Sequence, residues 1–212
     1  RSPEPMKCRL TMMTTKPQLL FEESTHTYTL RRDGFADLIL PSVSEIIEVI
    51  HNKSYGNISE RILDNAADRG TRLHRAVQFW NQYGFRNVDE DCAGFFDAYL
   101  KFRQEHADVQ LLHSEYRTYH KFLLYGATID EIYQVGNETI LLDLKTPQKA
   151  LLKTWAVQLG GYQMALQSQG VKIGKAYILQ LFSDGHYILH AVKPDGATFL
   201  ACYTIFNFKE DL

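Results

Sequence analysis

Two runs of mainly β-branched and aliphatic residues, joined by Gly136-Asn137, constrain the fold of this chain most strongly. They span residues 123–134 and 139–145, and a two-residue Gly-Asn connection is typical of a β-hairpin. The two strands are therefore predicted to pair antiparallel, in a register that places Asp130 directly opposite Asp143. A four-residue loop centred on the same point predicts the same pairing, whereas a three-residue loop would turn one carboxylate to the other face.

The second of these strands carries an acid and a base on one face. Because side chains alternate along a strand, Asp143 and Lys145 share a face, and the aliphatic residues around them point to the core. Carboxylates on opposed positions, about 4.5–5.5 Å apart, repel each other, so a cation is expected between Asp130 and Asp143. Carboxylate oxygens bind hard divalent cations such as Mg²⁺, which polarise phosphates and acidify water, and Lys145 would orient that water. The alternative is a surface strand with a chance Asp-X-Lys.

Four segments, taken in order, resemble the PD-(D/E)XK nuclease superfamily, in particular its RecB-like exonuclease branch. That branch has a helical His preceded by a Gly, a Gly-X-X-X-Asp strand, an Asp-X-Lys strand and a Gln-X-X-X-Tyr helix. The corresponding segments here are residues 70–74 (GTRLH), 126–130 (GATID), 143–145 (DLK) and 158–162 (QLGGY). The resemblance spans residues 59–166, and residues 40–44 are more weakly similar to the N-terminal portion of phage and mitochondrial relatives.

The resemblance implies an α/β fold with a restriction-endonuclease-like mixed central sheet flanked by helices. It also implies a Mg²⁺- or Mn²⁺-dependent deoxyribonuclease with Lys145 as the residue that activates water. The implied metal ligands are His74, Asp130, Asp143 and the backbone carbonyl of Leu144. The residues implied to line the active site and touch DNA are Gln158 and Tyr162, with Arg69 and Arg72 as phosphate contacts.

Glycines interrupt two of the predicted helices. Gly70 lies one turn before His74, and a mid-helix Gly costs about 1 kcal/mol relative to Ala, so we expect something to approach the helix closely there. The Gly160-Gly161 pair, between Gln158 and Tyr162, is expected to permit a close approach in the same way.

Glu115 is a further candidate metal ligand. A two-residue loop at His120-Lys121 would place Glu115 on the face that carries Asp130, and some relatives have an acid near this position. The alternative is a solvated strand acid beside Arg117.

Apolar periodicity and turn residues predict the remaining elements. Short strands are expected over residues 19–40 around Arg32-Asp33-Gly34, and Ser42 with Glu45 forms a capping box that opens a helix. Helices are predicted at about 59–82, 92–106 and 152–168 and from 196, and strands at about 109–119, 123–134, 139–145, 175–182 and 186–193.

Length and composition predict one compact catalytic protein. Of the 212 residues, 45% are hydrophobic, which argues against disorder. Residues 1–58 are predicted to form an N-terminal extension with short strands and a helix, and residues 59–212 the nuclease core. No apolar run is long enough to span a membrane, and three cysteines cannot supply the four ligands of an iron–sulfur cluster. We therefore expect no cluster and a cytoplasmic location, in a bacterial or phage-infected cell.

DNA is the predicted partner, with a recombination or replication protein as a further one; the oligomeric state is not predicted. The formal net charge of −2 means that DNA contacts must come from a local basic patch and the metal. The expected activity is exonucleolytic cleavage from DNA ends or single strands in replication, recombination, repair or phage DNA processing. The alternatives are a catalytically inactive nucleic-acid-binding module of the same fold, a structure-specific endonuclease, and an RNA-directed enzyme.

Overall fold

The computed structural model describes residues 16–51 and 60–210, and the chain divides into two compact units, Arg1–Leu40 and Pro41–Leu212. In the first unit, β1 (Gln18–Glu22), β2 (Thr27–Arg31) and β3 (Leu38–Leu40) form an antiparallel sheet in the order β1-β2-β3. The predicted turn at Arg32-Asp33-Gly34 lies between β2 and β3, with Gly34 at a φ of 79°.

The second unit contains a five-stranded sheet in the order β4-β5-β6-β7-β8, in which only β6 and β7 pair parallel. Its strands are β4 (Gln110–Tyr119), β5 (Gly126–Val135), β6 (Glu138–Lys145), β7 (Lys175–Leu181) and β8 (Tyr187–Ala191). Its helices are α1 (Val43–His51), α2 (Glu60–Tyr83), α3 (Ala93–Glu105), α4 (Leu152–Ser168) and α5 (Gly196–Glu210), and a single 3₁₀ turn (Glu90–Cys92) precedes α3. The predicted α/β architecture, a mixed central sheet flanked by helices, is confirmed.

The sheet separates two apolar cores. On the face covered by α1, α4 and α5, called the α4 face, buried residues of these helices pack on Ile129, Ile132 and Leu141. On the face covered by α2 and α3, called the α2 face, they pack on Leu142 and Leu144. The predicted apolar stripes of α2 and α3 lie in this second core: Leu73, Ala76, Val77 and Trp80, and Phe95, Phe96, Tyr99 and Phe102.

Helix α1 begins with the predicted capping box. The Ser42 N–H donates to Glu45 Oε2 (2.6 Å), and the Glu45 N–H donates to Ser42 Oγ (3.1 Å). Val43, Ile46 and Ile47 of α1 are buried in the core of the α4 face, so α1 packs within the second unit. The predicted division between residues 58 and 59 falls within residues 52–59, which lie outside the described part of the chain, and it stays a prediction.

The two glycine predictions have opposite outcomes. A Cβ added to Gly160 would lie 2.5 Å from the backbone of Asp195, and one added to Gly161 would lie 2.6 Å from the ring of Phe199, so the close approach of α5 to α4 is confirmed. At Gly70 no described atom lies within 4 Å of an added Cβ, and the close approach predicted there is wrong for the described chain. None of the described helices combines the length and apolar character needed to cross a membrane.

Candidate metal-binding and catalytic site

The β5–β6 hairpin has the predicted register. Gly136, at a φ of 56°, opens a two-residue turn, and the pairs run from Val135 with Glu138 to Glu131 with Leu142. The next position along this register is Asp130 opposite Asp143. Here the Leu144 N–H donates to Asp130 Oδ2 (2.6 Å), so a side-chain carboxylate replaces a backbone carbonyl as the acceptor. The backbone ladder between β5 and β6 therefore ends where the two acids meet.

Two consecutive acids of β5 both contact α2. Asp130 lies beside His74 and Glu131 beside Asn81, both residues of α2. Strict alternation would send neighbouring side chains to opposite faces, but Ile129 and Ile132 both pack in the core of the α4 face although they are three positions apart. The alternation is broken between them, and this irregularity turns both acids toward α2.

His74, Glu115 and Asp130 form the candidate metal centre. His74 Nδ1 lies 3.2 Å from Glu115 Oε1 and 3.4 Å from Asp130 Oδ1, and the ligand atoms of the three residues lie within 4.8 Å of one another. Helix α2 brings the imidazole to the sheet, and β4 and β5 bring the carboxylates. The side chains of His74 and Glu115 are 27% and 17% exposed, so the cluster is reachable from solvent.

The charges of this cluster are interdependent. Burial alone would lower the pKa of His74, but the carboxylates of Asp130 and Glu115 outweigh burial and raise the pKa of His74 well above its usual range. Burial opposes ionisation of Asp130, yet His74 and Lys145 hold the pKa of Asp130 below its usual value. The site therefore balances two acids against a cationic imidazole.

Glu115 has an unusual backbone conformation in the middle of β4. Its φ is 52°, in the left-handed region, and it lies between the pairs Ser114 with Glu131 and Tyr116 with Ile129, which places it across from Asp130. A non-glycine residue in this region costs about 1–3 kcal/mol and is found mainly where function or packing requires it. The predicted two-residue loop at His120-Lys121 is wrong, although it placed Glu115 on the correct face.

The real β4–β5 connection comprises residues 120–125, and His120 shapes it. His120 Nδ1 accepts hydrogen bonds from the Phe122 N–H (3.2 Å) and the Leu123 N–H (3.0 Å). The Leu124 N–H donates to the His120 carbonyl (2.9 Å), with Leu124 at a φ of 56°. The ring and carbonyl of His120 thus hold the loop in place. No turn motif in the sequence predicts this conformation.

Asp143 and Lys145 form a buried ion pair beside the metal cluster. Lys145 Nζ lies 2.6 Å from Asp143 Oδ2, with Asp143 1% and Lys145 19% exposed. Neither oxygen of Asp143 accepts a hydrogen bond of good geometry from a described residue. Burial and the charge of Asp130 raise the pKa of Asp143 to about 6, because together they outweigh the opposite effect of the Lys145 ammonium. Asp143 is not a member of the three-residue cluster, but the charge of Asp130 affects its pKa.

This donor set fits a divalent cation. The two clustered carboxylates and the buried Asp143, whose oxygens lack good donors, supply the oxygen ligands that Mg²⁺ and Mn²⁺ prefer. The imidazole of His74 adds one nitrogen donor. Leu144 pairs with Leu179 in the β6–β7 ladder and uses its N–H on Asp130. The role of its carbonyl as a metal ligand stays a prediction.

Gln158 and Tyr162 come together on α4. The Gln158 Nε2 donates to the Tyr162 hydroxyl (2.7 Å), as expected for residues one turn apart. Tyr162 is buried in the core of the α4 face, and Gln158 is partly exposed. Their contact with DNA stays a prediction, with Gln158 the more accessible of the two.

The two predicted phosphate contacts on α2 differ. The Arg72 guanidinium donates to the carboxylates of Asp68, Asp89 and Asp91 at 2.7–2.8 Å, which leaves it poorly suited to bind a phosphate. The Arg69 guanidinium lies 5.2 Å above the centre of the Phe95 ring, and its buried Nε has no hydrogen-bond partner among the described residues. Arg69 is therefore the better candidate.

Gln180 and His190 support the site, and the sequence did not predict this role for either residue. Gln180 pairs with Lys145 across the parallel β6–β7 ladder and is 2% exposed. Its Nε2 donates to the Pro147 carbonyl (2.6 Å), and its Oε1 lies 2.9 Å from His190 Nε2. Gln180 thereby holds the segment that follows Lys145. No local sequence pattern predicts this role, because it depends on the parallel pairing of β6 with β7, which are separated in the chain by α4.

Comparison with known proteins leaves the family of the chain open. No protein-family model and no curated protein matches it. Similar solved structures include an alkaline exonuclease (LHK-Exo) from Laribacter hongkongensis and the same LHK-Exo in complex with dAMP. Each is 13% identical, with 80% of this chain and 87% of that chain covered and a TM-score of 0.44. SSO0001 is 15% identical, with 80% and 84% covered and a TM-score of 0.36.

Proposed function

We propose that this protein is a divalent-metal-dependent deoxyribonuclease that hydrolyses DNA from its ends or along single strands. The observation that carries the proposal is the convergence of His74, Glu115 and Asp130 within 4.8 Å of one another, next to the buried Asp143–Lys145 pair. These side chains come from four separate elements, α2, β4, β5 and β6. They meet where the backbone pairing of β5 and β6 ends.

The acids and the imidazole would hold the metal. Asp130, Glu115 and His74 would be its ligands, joined by Asp143 and the carbonyl of Leu144. A bound Mg²⁺ or Mn²⁺ supplies Lewis-acid polarisation of the scissile phosphate and lowers the pKa of a coordinated water. Burial and the charge of Asp130 raise the pKa of Asp143, and a bound cation would offset this by favouring the ionised carboxylate.

Lys145 would orient the attacking water. Its ammonium is held by Asp143 and remains partly exposed, so a phosphate or water can reach it. In hydrolysis the water oxygen forms a new bond to phosphorus while one bridging P–O bond breaks. The proton lost by the water passes to solvent, and the departing oxygen gains one.

The left-handed conformation of Glu115 supports a functional role for this acid. Strain inside a regular strand persists only where the surroundings enforce it, and such strain is concentrated at functional sites. Gln158, Tyr162 and Arg69 would contact the DNA strand. We further propose that the enzyme acts in replication, recombination, repair or phage DNA processing, within the cytoplasm.

An end-labelled assay tests the proposal. Linear and circular DNA, single- and double-stranded, are incubated with Mg²⁺, with Mn²⁺ or with EDTA. We expect cleavage of linear DNA only when a divalent cation is present, and circular single-stranded DNA should survive under the conditions that consume the linear form.

The other outcomes point to defined alternatives. Equal cleavage of circles would replace the exonuclease with an endonuclease, and cleavage of RNA alone would replace DNA as the substrate. Undiminished cleavage in excess EDTA would overturn the metal mechanism. Binding of DNA without cleavage of any substrate would identify a catalytically inactive binding module.

A further inference from the structure

A buried polar network surrounds Glu131, the residue after Asp130. Glu131 is 0% exposed, and Oε1 accepts hydrogen bonds from Asn81 Nδ2 (2.8 Å) and the Tyr99 hydroxyl (2.5 Å). Oε2 accepts a hydrogen bond from the Tyr133 hydroxyl (2.6 Å), which in turn accepts one from Arg103 (3.1 Å). A buried carboxylate must be hydrogen-bonded, whereas an apolar side chain at position 131 would need no such partners. The network therefore fixes the relative positions of Glu131 and the residues that donate to it.

Asn81 links this network to helix α2. Its Nδ2 also donates to Ser114 Oγ (3.2 Å), and Ser114 is the cross-strand partner of Glu131. The Asn81 amide of α2 therefore hydrogen-bonds both members of one cross-strand pair, Ser114 of β4 and Glu131 of β5. This contact fixes both the rotation of α2 and its position along the strands.

His74 lies on the same side of α2 as Asn81. The two residues are separated by about two helical turns, roughly 10.5 Å along the axis, and point in nearly the same direction. Asn81 contacts Ser114 and Glu131, and His74 contacts the residues next to them, Glu115 and Asp130. The same two strands thus meet α2 through two adjacent polar contacts, one of which includes the candidate metal ligands.

We propose that Asn81 is a positioning residue, which holds α2 on Glu131 and Ser114 so that the His74 imidazole is aligned with Glu115 and Asp130. The inference rests on the proposed metal centre. A misplacement of about 1 Å costs on the order of 100-fold in catalysis, and loss of a group that orients a ligand typically lowers metal affinity by about 10–100-fold. Asn81 touches neither the metal ligands nor the substrate in this role, and it acts through His74.

Two variants separate positioning from ordinary stabilisation. Asn81→Ala and Tyr133→Phe each remove one hydrogen bond to the Glu131 carboxylate, but only Asn81→Ala releases α2, because Tyr133 belongs to β5. Tyr99 is not a suitable control, since its hydroxyl also lies 2.9 Å from Asn81 Oδ1. Mn²⁺ affinity is measured by calorimetry well below the melting temperature of each protein. We expect Asn81→Ala to weaken Mn²⁺ binding about 10-fold or more, and Tyr133→Phe to change it by less than about 3-fold.

A double-mutant cycle with His74→Ala completes the test. If Asn81 acts through His74, Asn81→Ala should cause no further loss of Mn²⁺ affinity in the His74→Ala background. Should Asn81→Ala fail to fold, Asn81→Ser, whose shorter side chain cannot reach Glu131, replaces it with the same expected result. Equal losses for Asn81→Ala and Tyr133→Phe, or additive losses in the cycle, would overturn the positioning role while the proposed function stands. A parent protein that binds no Mn²⁺ would overturn both.

Discussion

The two faces of the central sheet are held by different forces. On the α4 face, helices α4 and α5 approach so closely that only glycine fits at positions 160 and 161, and the contacts are mainly apolar. On the α2 face, an apolar core is interrupted by Glu131, Asn81 and Tyr99 and adjoins the candidate metal centre. Apolar packing depends on shape, whereas hydrogen bonds and ion pairs fix direction. Both cores therefore contribute apolar burial, but the α2 face also holds the directional hydrogen bonds and ion pairs that align side chains at the site.

The largest expected effect is on catalysis. Lys145→Ala and Asp143→Asn should each lower DNA cleavage by about 10²–10⁴-fold, because they remove the group that orients the attacking water or a carboxylate at the metal centre. Lys175→Ala is the control, since Lys175 forms an exposed ion pair with Glu138 (2.8 Å), and its cleavage rate should be unchanged. Initial rates on end-labelled linear DNA give the comparison.

The same Asp143→Asn protein tests whether alignment and stability are separate. Burial and the charge of Asp130 disfavour the ionised Asp143, so without metal the variant should be as stable as the parent or slightly more stable. Thermal and urea unfolding without metal measure this difference. A variant less stable by several kcal/mol would identify Asp143 as a structural residue and remove the basis for the metal site.

Two glycine substitutions should have opposite effects on stability. Gly160→Ala would bring a methyl group 2.5 Å from the backbone of Asp195 and should cost about 2–3 kcal/mol of unfolding free energy. Gly70→Ala meets no described atom within 4 Å and should gain up to about 1 kcal/mol from helix propensity. Urea unfolding distinguishes them. Equal effects of the two changes would show that the tight α4–α5 contact does not carry the stability of the α4 face.

Metal should stabilise the protein through the α2 face alone. A cation that binds only the folded state raises the melting temperature, by about 5–10 °C at a Mn²⁺ concentration roughly 100-fold above Kd. His74→Ala should lose most of this shift, while Gly160→Ala, although less stable, should retain it. His186→Ala is the control, because His186 contacts Asp184 at an exposed turn. A full shift in His74→Ala would exclude His74 as a ligand.

The smallest expected effect concerns the β4–β5 loop. Burial lowers the pKa of His120 below its usual value, so the unfolded chain takes up a proton on this ring more readily than the folded one. The contribution of His120 is therefore complete above about pH 6.5 and is lost as pH falls through the lowered pKa of the folded state. Relative to His120→Asn, which can still accept a backbone hydrogen bond, the parent should lose a small amount of stability on acidification. Melting temperatures of both proteins between pH 8 and pH 5 provide the measurement, and parallel curves would contradict it.

Much of the architecture could be predicted from local pattern. The capping box at Ser42, the Gly136-Asn137 turn and the apolar stripes of α2 and α3 are each decided by residues within a few positions of one another. The β5–β6 register followed because the turn leaves few alternatives, and it correctly predicted that the two acids meet. The site prediction was weaker at Arg72, whose three acidic partners include two from beyond the end of its own helix.

The order of helices and strands, and the pairing of Asp130 with Asp143, follow from local hydrogen bonding and side-chain period, which act over short distances along the chain. Long-range packing is responsible for the broken alternation of β5 and for the left-handed conformation of Glu115 across from Asp130. It also places Asn81 and Gln180 at the two sides of the site. These features join residues far apart in sequence. Their positions follow from how the helices settle on the sheet, which depends on packing summed over the whole unit and leaves no periodic trace in the sequence.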